Sequence, residues 1–301
     1  MPVPTPFQRA LRALRLAVAL VTPHGYYVAR DAINAKRHDV WRTRNAAWRE
    51  RTLEAGRARA AADRATAFSV EAAVQFHVAR GLPEPDVRDG SMSPADLEAA
   101  AVVLREHLPA GRPVRGLQIG NFVGVSLAFF SHLMRERHPD SVMVSVDPDI
   151  SHRRIERPQR HVLALLGHFD LLRSNTVITG YSLEQNLGEN PGGDAADHLR
   201  TEQASEDVLA QLARIAPERF DLVVLDGNHI AAYLRRETEA TAALLAPGAL
   251  VVIDDVDPGY WPEVVAAYDE AAAGRFAEVA RIGHVGILTL AAGDTPPTAA
   301  R

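Results

Sequence analysis

The chain of 301 residues contains no cysteine. This absence excludes disulfides, thiolate metal sites, iron–sulfur clusters and cysteine nucleophiles. Aromatic residues are scarce at 6%, while 47% of the residues are hydrophobic and 24% are charged, which is typical of a globular domain. Any metal or acid–base chemistry must therefore depend on His, Asp and Glu.

The sequence also lacks a long hydrophobic run. The apolar stretch Leu14–Val21 is shorter than the roughly 20 residues that cross a bilayer. No small-residue cleavage site accompanies it, so we expect no secretory signal. The chain is accordingly predicted to be cytoplasmic.

Negative charge is lacking at the amino-terminal end. Residues 1–64 contain 13 Lys and Arg against 5 Asp and Glu, a net charge of +8, which leaves −13 for the remainder. We expect these basic helices to pack on the domain or on a second copy of the chain, giving a homo-oligomer. The alternative is weak membrane-surface contact through residues 7–21, a short basic amphipathic helix. No nucleic-acid partner is expected, because the body is acidic.

The patterning divides the chain into three parts. Residues 1–90 are predicted to form a helical arm, residues 91–290 an α/β domain, and residues 291–301 a disordered tail. Within the domain, strands and helices alternate from Val114 onward. This pattern predicts a Rossmann-like sheet of seven strands, mostly parallel, with an antiparallel last strand. The polar segment 184–202 follows the third strand, and we expect it to be a lid.

Two short apolar runs, Leu222–Leu225 and Leu250–Ile253, are rich in β-branched residues and are too short for helices. Ala231–Leu245 between them has a helical composition and is predicted to stop before Pro247 and Gly248. Such a unit makes a right-handed crossover between parallel strands. Both strands therefore end at the same edge of the sheet, where ligands bind in open α/β sheets.

Acidic residues follow both of these strands. Asp226 comes directly after the first, and Asp254 and Asp255 come directly after the second. Three carboxylates gathered at one edge would repel one another unless a cation or a proton neutralised them. The sequence therefore suggests a site for a divalent metal.

A glycine-containing loop, Gly120–Gly124, joins the first strand to its helix. Asp147 ends the second strand, where a ribose would need a bidentate acceptor. Phe122 stands where dinucleotide-binding loops usually have glycine, and it would crowd a pyrophosphate. The chain contains no G-x-x-x-x-G-K-[ST] motif either. A nucleoside ligand without phosphate, such as S-adenosylmethionine, fits this pattern better.

Residues 117–126 read Leu-Gln-Ile-Gly-Asn-Phe-Val-Gly-Val-Ser. They resemble the [LV]-E-[IL]-G-x-x-x-G-x-S pattern of class I S-adenosylmethionine-dependent methyltransferases. From about Gly90 to Leu290 the chain resembles in particular the metal-dependent catechol and caffeoyl-CoA O-methyltransferases and the related sugar O-methyltransferases of macrolide pathways. Gln118 is a departure, because the family usually has a glutamate there that supports the loop.

The resemblance implies a set of functional residues. The loop would surround the methionine part, Ser126 would contact its carboxylate, Asp147 would hold the ribose, and the segment Gly180–Ser182 would lie beside the adenine. The implied cofactor-binding residues are Gly120, Asn121, Phe122, Gly124, Ser126, Asp147, Gly180, Tyr181, Ser182 and Asp226. The implied metal ligands are Asp226, Asp254 and Asp255, whose oxygens suit Mg²⁺ better than zinc.

His229 lies three residues after Asp226, at the position where the family carries its general base. An unperturbed imidazole is mostly neutral at pH 7, so it accepts a hydroxyl proton readily. His284 is a further candidate for substrate contact.

These residues predict an O-methyltransferase in natural product biosynthesis that modifies a hydroxyl of a sugar or another small molecule. One alternative is a hydroxylase-like or hydrolytic relative that uses the same acids. The other is a non-catalytic S-adenosylmethionine-binding protein, for which Gln118 is the supporting feature.

Overall fold

The computed structural model describes residues 68–184, 207–215 and 219–291. Most of the predicted arm, lid and tail lies outside these residues. Within the described part, no helix is both long and apolar enough to span a membrane.

The described residues contain one sheet of seven strands in the order β3-β2-β1-β4-β5-β7-β6. Strands β1 to β5 are parallel, and β7 runs antiparallel to both of its neighbours. The predicted Rossmann-like sheet of seven strands, mostly parallel with an antiparallel last strand, is therefore confirmed; β7 lies between β5 and β6. The strands are β1 (Arg115–Ile119), β2 (Val142–Asp147), β3 (Asn175–Thr179), β4 (Phe220–Leu225), β5 (Leu245–Ile253), β6 (Phe276–Ile282) and β7 (Val285–Leu290).

Helices cover both faces of the sheet. Helices α1 to α5 contribute to one hydrophobic core, and α6 to α8 contribute to the other. The described helices are α1 (Val70–Ala79), α2 (Glu84–Asp89), α3 (Pro94–His107), α4 (Val125–Arg137), α5 (Gln159–His168), α6 (Val208–Ile215), α7 (Ala231–Ala242) and α8 (Pro262–Ala273). Helices α6 and α8 were not among the predicted elements.

The central strands are buried on both sides, which explains their continuous apolar runs. In β4, Leu222 and Val224 face the first core, while Val223 and Leu225 face the second. All six residues of this strand are buried. Burial of both faces fixes the strand's register, since a shift by one residue would exchange its two sets of side chains.

Helix α3 begins as its sequence predicts. The Ser93 side chain accepts a hydrogen bond from the Asp96 N–H, and Pro94 occupies the first helical position. The segment 81–90, which is rich in Pro, Asp and Gly, contains the short helix α2. Val87 of this helix is fully buried in the same core as Val74 of α1. Burial of one apolar side chain thus stabilises a helix that the surrounding Pro and Gly residues disguise.

The predicted end of the helix before β5 was wrong. Helix α7 ends at Ala242, and β5 begins at Leu245 instead of after Pro247 and Gly248. These two residues lie inside an irregular part of the strand, where the register with β4 shifts. Proline cannot donate to a strand ladder and is tolerated at such a bulge, and Gly248 has a positive φ of 75°.

Candidate active site

The loop after β1 is held against the loop after β4. Gly120 has a φ of 83°, and a Cβ atom on it would lie 2.0 Å from the Asp226 carbonyl oxygen. No other residue type fits at this close approach. Gly124, with a φ of 91°, precedes α4, and a Cβ there would meet Val162 at 3.1 Å. The two glycines therefore allow the loop to pass closely between neighbouring segments.

The Asp147 carboxylate stabilises this loop through its backbone. One carboxylate oxygen accepts the N–H groups of Asn121 at 2.8 Å and of Phe122 at 3.3 Å. The other oxygen accepts the Asp149 N–H at 2.8 Å. Burial raises the pKa of Asp147, and these three N–H groups oppose that rise. The predicted ribose acceptor is thus also the anchor of the glycine loop.

Phe122 does not project freely from the loop. Its φ is 46°, and its ring lies against Gly90, where an added Cβ would come within 2.5 Å of the ring. The ring also makes an edge contact with His152, with 5.4 Å between centroids. The sequence alone did not indicate this packing, because Gly90 is 32 residues away.

The Gln118 side chain stabilises the glycine loop through hydrogen bonds. It is fully buried, and its Nε2 donates to the Gly120 carbonyl at 2.8 Å and to the Ser126 hydroxyl at 2.9 Å. Ser126 in turn donates to the Asp226 carboxylate at 3.3 Å. An amide therefore supports the loop in place of the expected glutamate. The one sequence feature that favoured a degenerate site has a structural role.

The third strand leads into the segment Gly180–Ser182. The Gly180 N–H donates to the Asp147 carbonyl at 3.0 Å. The carbonyls of Tyr181 and Ser182 accept the N–H groups of Val208 and Leu209 at the start of α6. This segment is consequently fixed at the same sheet edge as the glycine loop.

The carboxylates after β4 and β5 act on one another. Burial, and then the charge of Asp255, raises the pKa of both Asp226 and Asp254 well above the usual range. Asp255 has a φ of 60°, a left-handed conformation that non-glycine residues seldom adopt. The predicted clustering of acidic groups at this edge is present in the structure.

The cluster is not arranged as a ready metal centre. Within residues 68–184, 207–215 and 219–291, no three His, Asp or Glu side chains are placed so that they could hold one ion together. Metal binding by Asp226, Asp254 and Asp255 therefore stays a prediction from the family resemblance.

His229 lies beside this acidic cluster. Its Nε2 is buried and lies 3.2 Å from Asp255 Oδ2, within ion-pair distance but outside hydrogen-bond geometry. The imidazole also packs against Trp261, with 4.9 Å between ring centroids. The side chain as a whole remains 31% exposed. The ring is thus held between a carboxylate and an indole while keeping access to the solvent.

His284 approaches the same loop from the turn between β6 and β7. Its Nε2 lies 3.5 Å from Asp257 Oδ2, and its backbone N–H donates to Asp96 at 3.1 Å. Its carbonyl accepts the Val256 N–H at 2.7 Å. The antiparallel end of the sheet therefore helps to shape the loop after β5.

One buried residue beside the site was not predicted. Glu237 of α7 is only 2% exposed and accepts a short hydrogen bond from the Ser182 hydroxyl. The sequence contains a signal for it, because Tyr233, Leu234, Glu237, Thr238 and Thr241 share one helical face and are all buried. A glutamate on an otherwise inward-facing stripe is the feature that sequence reasoning should have singled out.

The sheet order, the glycine loop and the acidic strand ends are those of the class I methyltransferase fold. Residues 117–256 match the family model of a methyltransferase domain. An O-methyltransferase from Bacillus cereus, solved in complex with SAH, has the same fold with a TM-score of 0.52. Its sequence is 15% identical, and the alignment covers 78% of this chain and 96% of that one. The chain therefore has the methyltransferase fold that its motifs predicted.

Two curated relatives match shorter stretches. The mycinamicin VI 2''-O-methyltransferase of Micromonospora griseorubida is 39% identical over 66 residues, which are 21% of this chain and 16% of the relative. The 8-demethyl-8-alpha-L-rhamnosyl tetracenomycin-C 2'-O-methyltransferase of Streptomyces olivaceus is 38% identical over 51 residues, 17% of this chain and 14% of the relative. The matched stretch thus spans less than a fifth of either relative.

Proposed function

We propose that the protein transfers a methyl group from S-adenosylmethionine to a hydroxyl of a sugar-bearing natural product, with His229 as the general base. The observation that carries this proposal is the position of His229 against Asp255, at the sheet edge that also holds the glycine loop. The names of both curated relatives describe O-methyltransferases that act at a 2-position hydroxyl. Those names support a hydroxyl acceptor for this chain.

The cofactor proposal depends on the cradle after β1. Gly120 and Gly124 let the loop pass close to Asp226 and Val162. Asp147 accepts three backbone N–H groups, and its Oδ1 keeps one lone pair for a ribose hydroxyl. The segment Gly180–Ser182 would lie along the adenine. When bound, the cofactor supplies a sulfonium methyl group with a neutral thioether as its leaving group. The SAH-bound Bacillus cereus enzyme has the same fold and supports this choice.

The proposed chemistry needs one proton acceptor. His229 takes the acceptor's hydroxyl proton as that oxygen bonds to the methyl carbon and the carbon–sulfur bond breaks. Asp255, 3.2 Å from Nε2, stabilises the imidazolium that forms. Trp261 restricts the ring's rotation through its contact at 4.9 Å. The residues therefore supply positioning and charge stabilisation, which are the main needs of an in-line transfer.

The test is a transfer assay with the full chain. Calorimetry with S-adenosylmethionine establishes cofactor binding, and mass spectrometry of rhamnosylated and other deoxysugar-bearing acceptors detects a product that is heavier by CH₂. Failure to bind the cofactor would contradict the proposal. A hydroxylated or cleaved product would instead favour the alternative function, that of a hydroxylase-like or hydrolytic enzyme that uses the same acidic residues.

We further propose that the protein is a homo-oligomer through its amino-terminal segment. The residues before 68 lie outside the described part. It is supported by the basic arm and the acidic body, which have opposite net charge. Light scattering on the full chain is expected to give a multiple of 32.7 kDa. A monomeric mass at micromolar concentration would contradict it.

A further inference from the structure

Glu237 is a buried carboxylate that its own helix leaves unsatisfied. Two polar neighbours on the same face, Thr238 and Thr241, donate to backbone carbonyls of α7. Glu237 instead accepts from Ser182, which is 55 residues earlier in the chain. A buried carboxylate without partners is costly, so this contact fixes where the Ser182 hydroxyl proton points.

Among the residues that the structure describes, the other hydrogen bonds of Ser182 involve its backbone. Its carbonyl accepts the Leu209 N–H at 3.0 Å, and the preceding carbonyl of Tyr181 accepts the Val208 N–H at 3.1 Å. Neither contact constrains the rotation of the hydroxyl. The orientation of that hydroxyl is therefore decided by Glu237.

The direction of this hydrogen bond has a chemical consequence. An ionised carboxylate only accepts, so the hydroxyl proton of Ser182 is committed to Glu237. The Ser182 oxygen then has only lone pairs left for a further partner. Such an oxygen accepts from an amino group and has nothing to offer a carbonyl.

We propose that Glu237 is a positioning residue that makes Ser182 an acceptor for the 6-amino group of the cofactor's purine, and so selects adenosyl over inosyl ligands. This inference rests on the proposed S-adenosylmethionine function. It deepens that function by assigning base selectivity to a residue that does not itself touch the ligand.

The experiment compares two ligands on the full chain by calorimetry: S-adenosylhomocysteine and its deaminated form, S-inosylhomocysteine. Because burial raises the pKa of Glu237 to about 7, binding is measured at pH 8, where the carboxylate is ionised. The wild type is expected to prefer the adenosyl ligand by about 10- to 100-fold, the effect of one mismatched buried hydrogen bond.

Two variants of Glu237 test its role. Glu237→Ala frees the hydroxyl, and Glu237→Gln lets it either donate or accept, so both are expected to reduce the preference to within about threefold. Glu239→Gln is the matched control, because Glu239 is exposed on the same helix and pairs with Arg275. Its preference is expected to equal that of the wild type.

A general loss of folding would weaken both ligands together and leave their ratio unchanged, so the ratio isolates positioning. Glu237→Gln keeps the side-chain shape and decides the question if the alanine variant does not fold. Unchanged discrimination in both variants, or none in the wild type, overturns the inference while S-adenosylhomocysteine still binds. If the wild type binds neither ligand, the proposed function itself fails.

Discussion

The two halves of the ligand edge treat charge in opposite ways. At the ends of β1 and β2, the Asp147 carboxylate receives three backbone N–H groups, and Gln118 ties the glycine loop to Ser126. At the ends of β4 and β5, Asp254 and Asp255 lie together with Asp226. Burial, and then the charge of Asp255, raises the pKa of both Asp226 and Asp254.

This difference shows which half is complete by itself. The half at the ends of β1 and β2, the proposed cofactor half, satisfies its charged group with protein donors, so its geometry exists before a ligand arrives. The half at the ends of β4 and β5, the proposed acceptor half, concentrates negative charge that a proton, a cation or a substrate group must balance. Such unbalanced charge is common where chemistry takes place.

His229→Ala acts on the acceptor half and has the largest expected effect. Loss of a general base is expected to reduce turnover by about 10²- to 10⁴-fold, while calorimetry gives an unchanged affinity for S-adenosylmethionine. His132→Ala is the control, since His132 lies on α4 outside the acidic cluster, with its Nε2 3.4 Å from Glu136. A His229→Ala enzyme with near-normal turnover would show that the proton goes elsewhere.

Gly120→Ala acts on the cofactor half. Its Cβ would meet the Asp226 carbonyl at 2.0 Å in a left-handed backbone conformation, so cofactor affinity and melting temperature are both expected to fall. Gly248→Ala is the matched control, because Gly248 also has positive φ but nothing lies within 4 Å of its added Cβ. The control carries only the backbone strain of about 1–2 kcal/mol. Equal losses in the two variants would contradict the importance of close approach.

Buried His77 of α1, outside both halves, is expected to make the domain sensitive to acid. Burial, and then the charge of His161, lowers the pKa of His77 to about 4, against 6.5 for an ordinary histidine. Between pH 6.5 and about pH 4, the unfolded chain therefore binds a proton at His77 that the folded chain does not bind. Stability is fully present above pH 6.5 and declines as the pH falls to about 4, by about 3 kcal/mol from this group.

Urea denaturation at pH 7.5 and at pH 5 measures this decline. His77→Phe is expected to flatten the part that His77 contributes. An identical difference between the two pH values in the wild type and the variant would assign the acid sensitivity to other groups.

A divalent cation is expected to stabilise the acceptor half by the smallest amount. If the three carboxylates bind Mg²⁺, returning Mg²⁺ to chelator-treated protein raises its melting temperature. The expected gain in the free energy of unfolding is up to about 2.7 kcal/mol when Mg²⁺ is at 100 times its dissociation constant. Asp254→Asn is expected to remove this response. Full transfer activity in chelator-treated protein would contradict a role for the metal.

Local patterns predicted most of the fold. The apolar runs of β4 and β5, the Ser93–Pro94 helix start and the acidic strand ends are all short-range signals, and the structure contains each of them. The errors also have local causes. Pro247 and Gly248 are typical of a helix stop. Here they form an irregular part of β5, which pairs with β4 both before and after them.

The candidate site was predicted less completely. Asp147 and the glycine loop belong together as expected, but the sequence did not show that the Phe122 ring packs on Gly90 or that Ser182 faces Glu237. These contacts join segments 32 and 55 residues apart. Their existence depends on how helices settle on the sheet, which no window of local sequence specifies.

By itself, the sequence determined the fold class, because strand ends and loop glycines are placed by periodicity and backbone conformation. The tertiary structure alone decided which carboxylates receive hydrogen-bond donors and which lie against other carboxylates. Strand β1 lies between β2 and β4, so one loop contacts both Asp147 and Asp226 although these residues are distant in the chain. The physical reason is that hydrogen bonding and repulsion depend on distance in space, and folding brings one carboxylate to backbone donors and three others to each other.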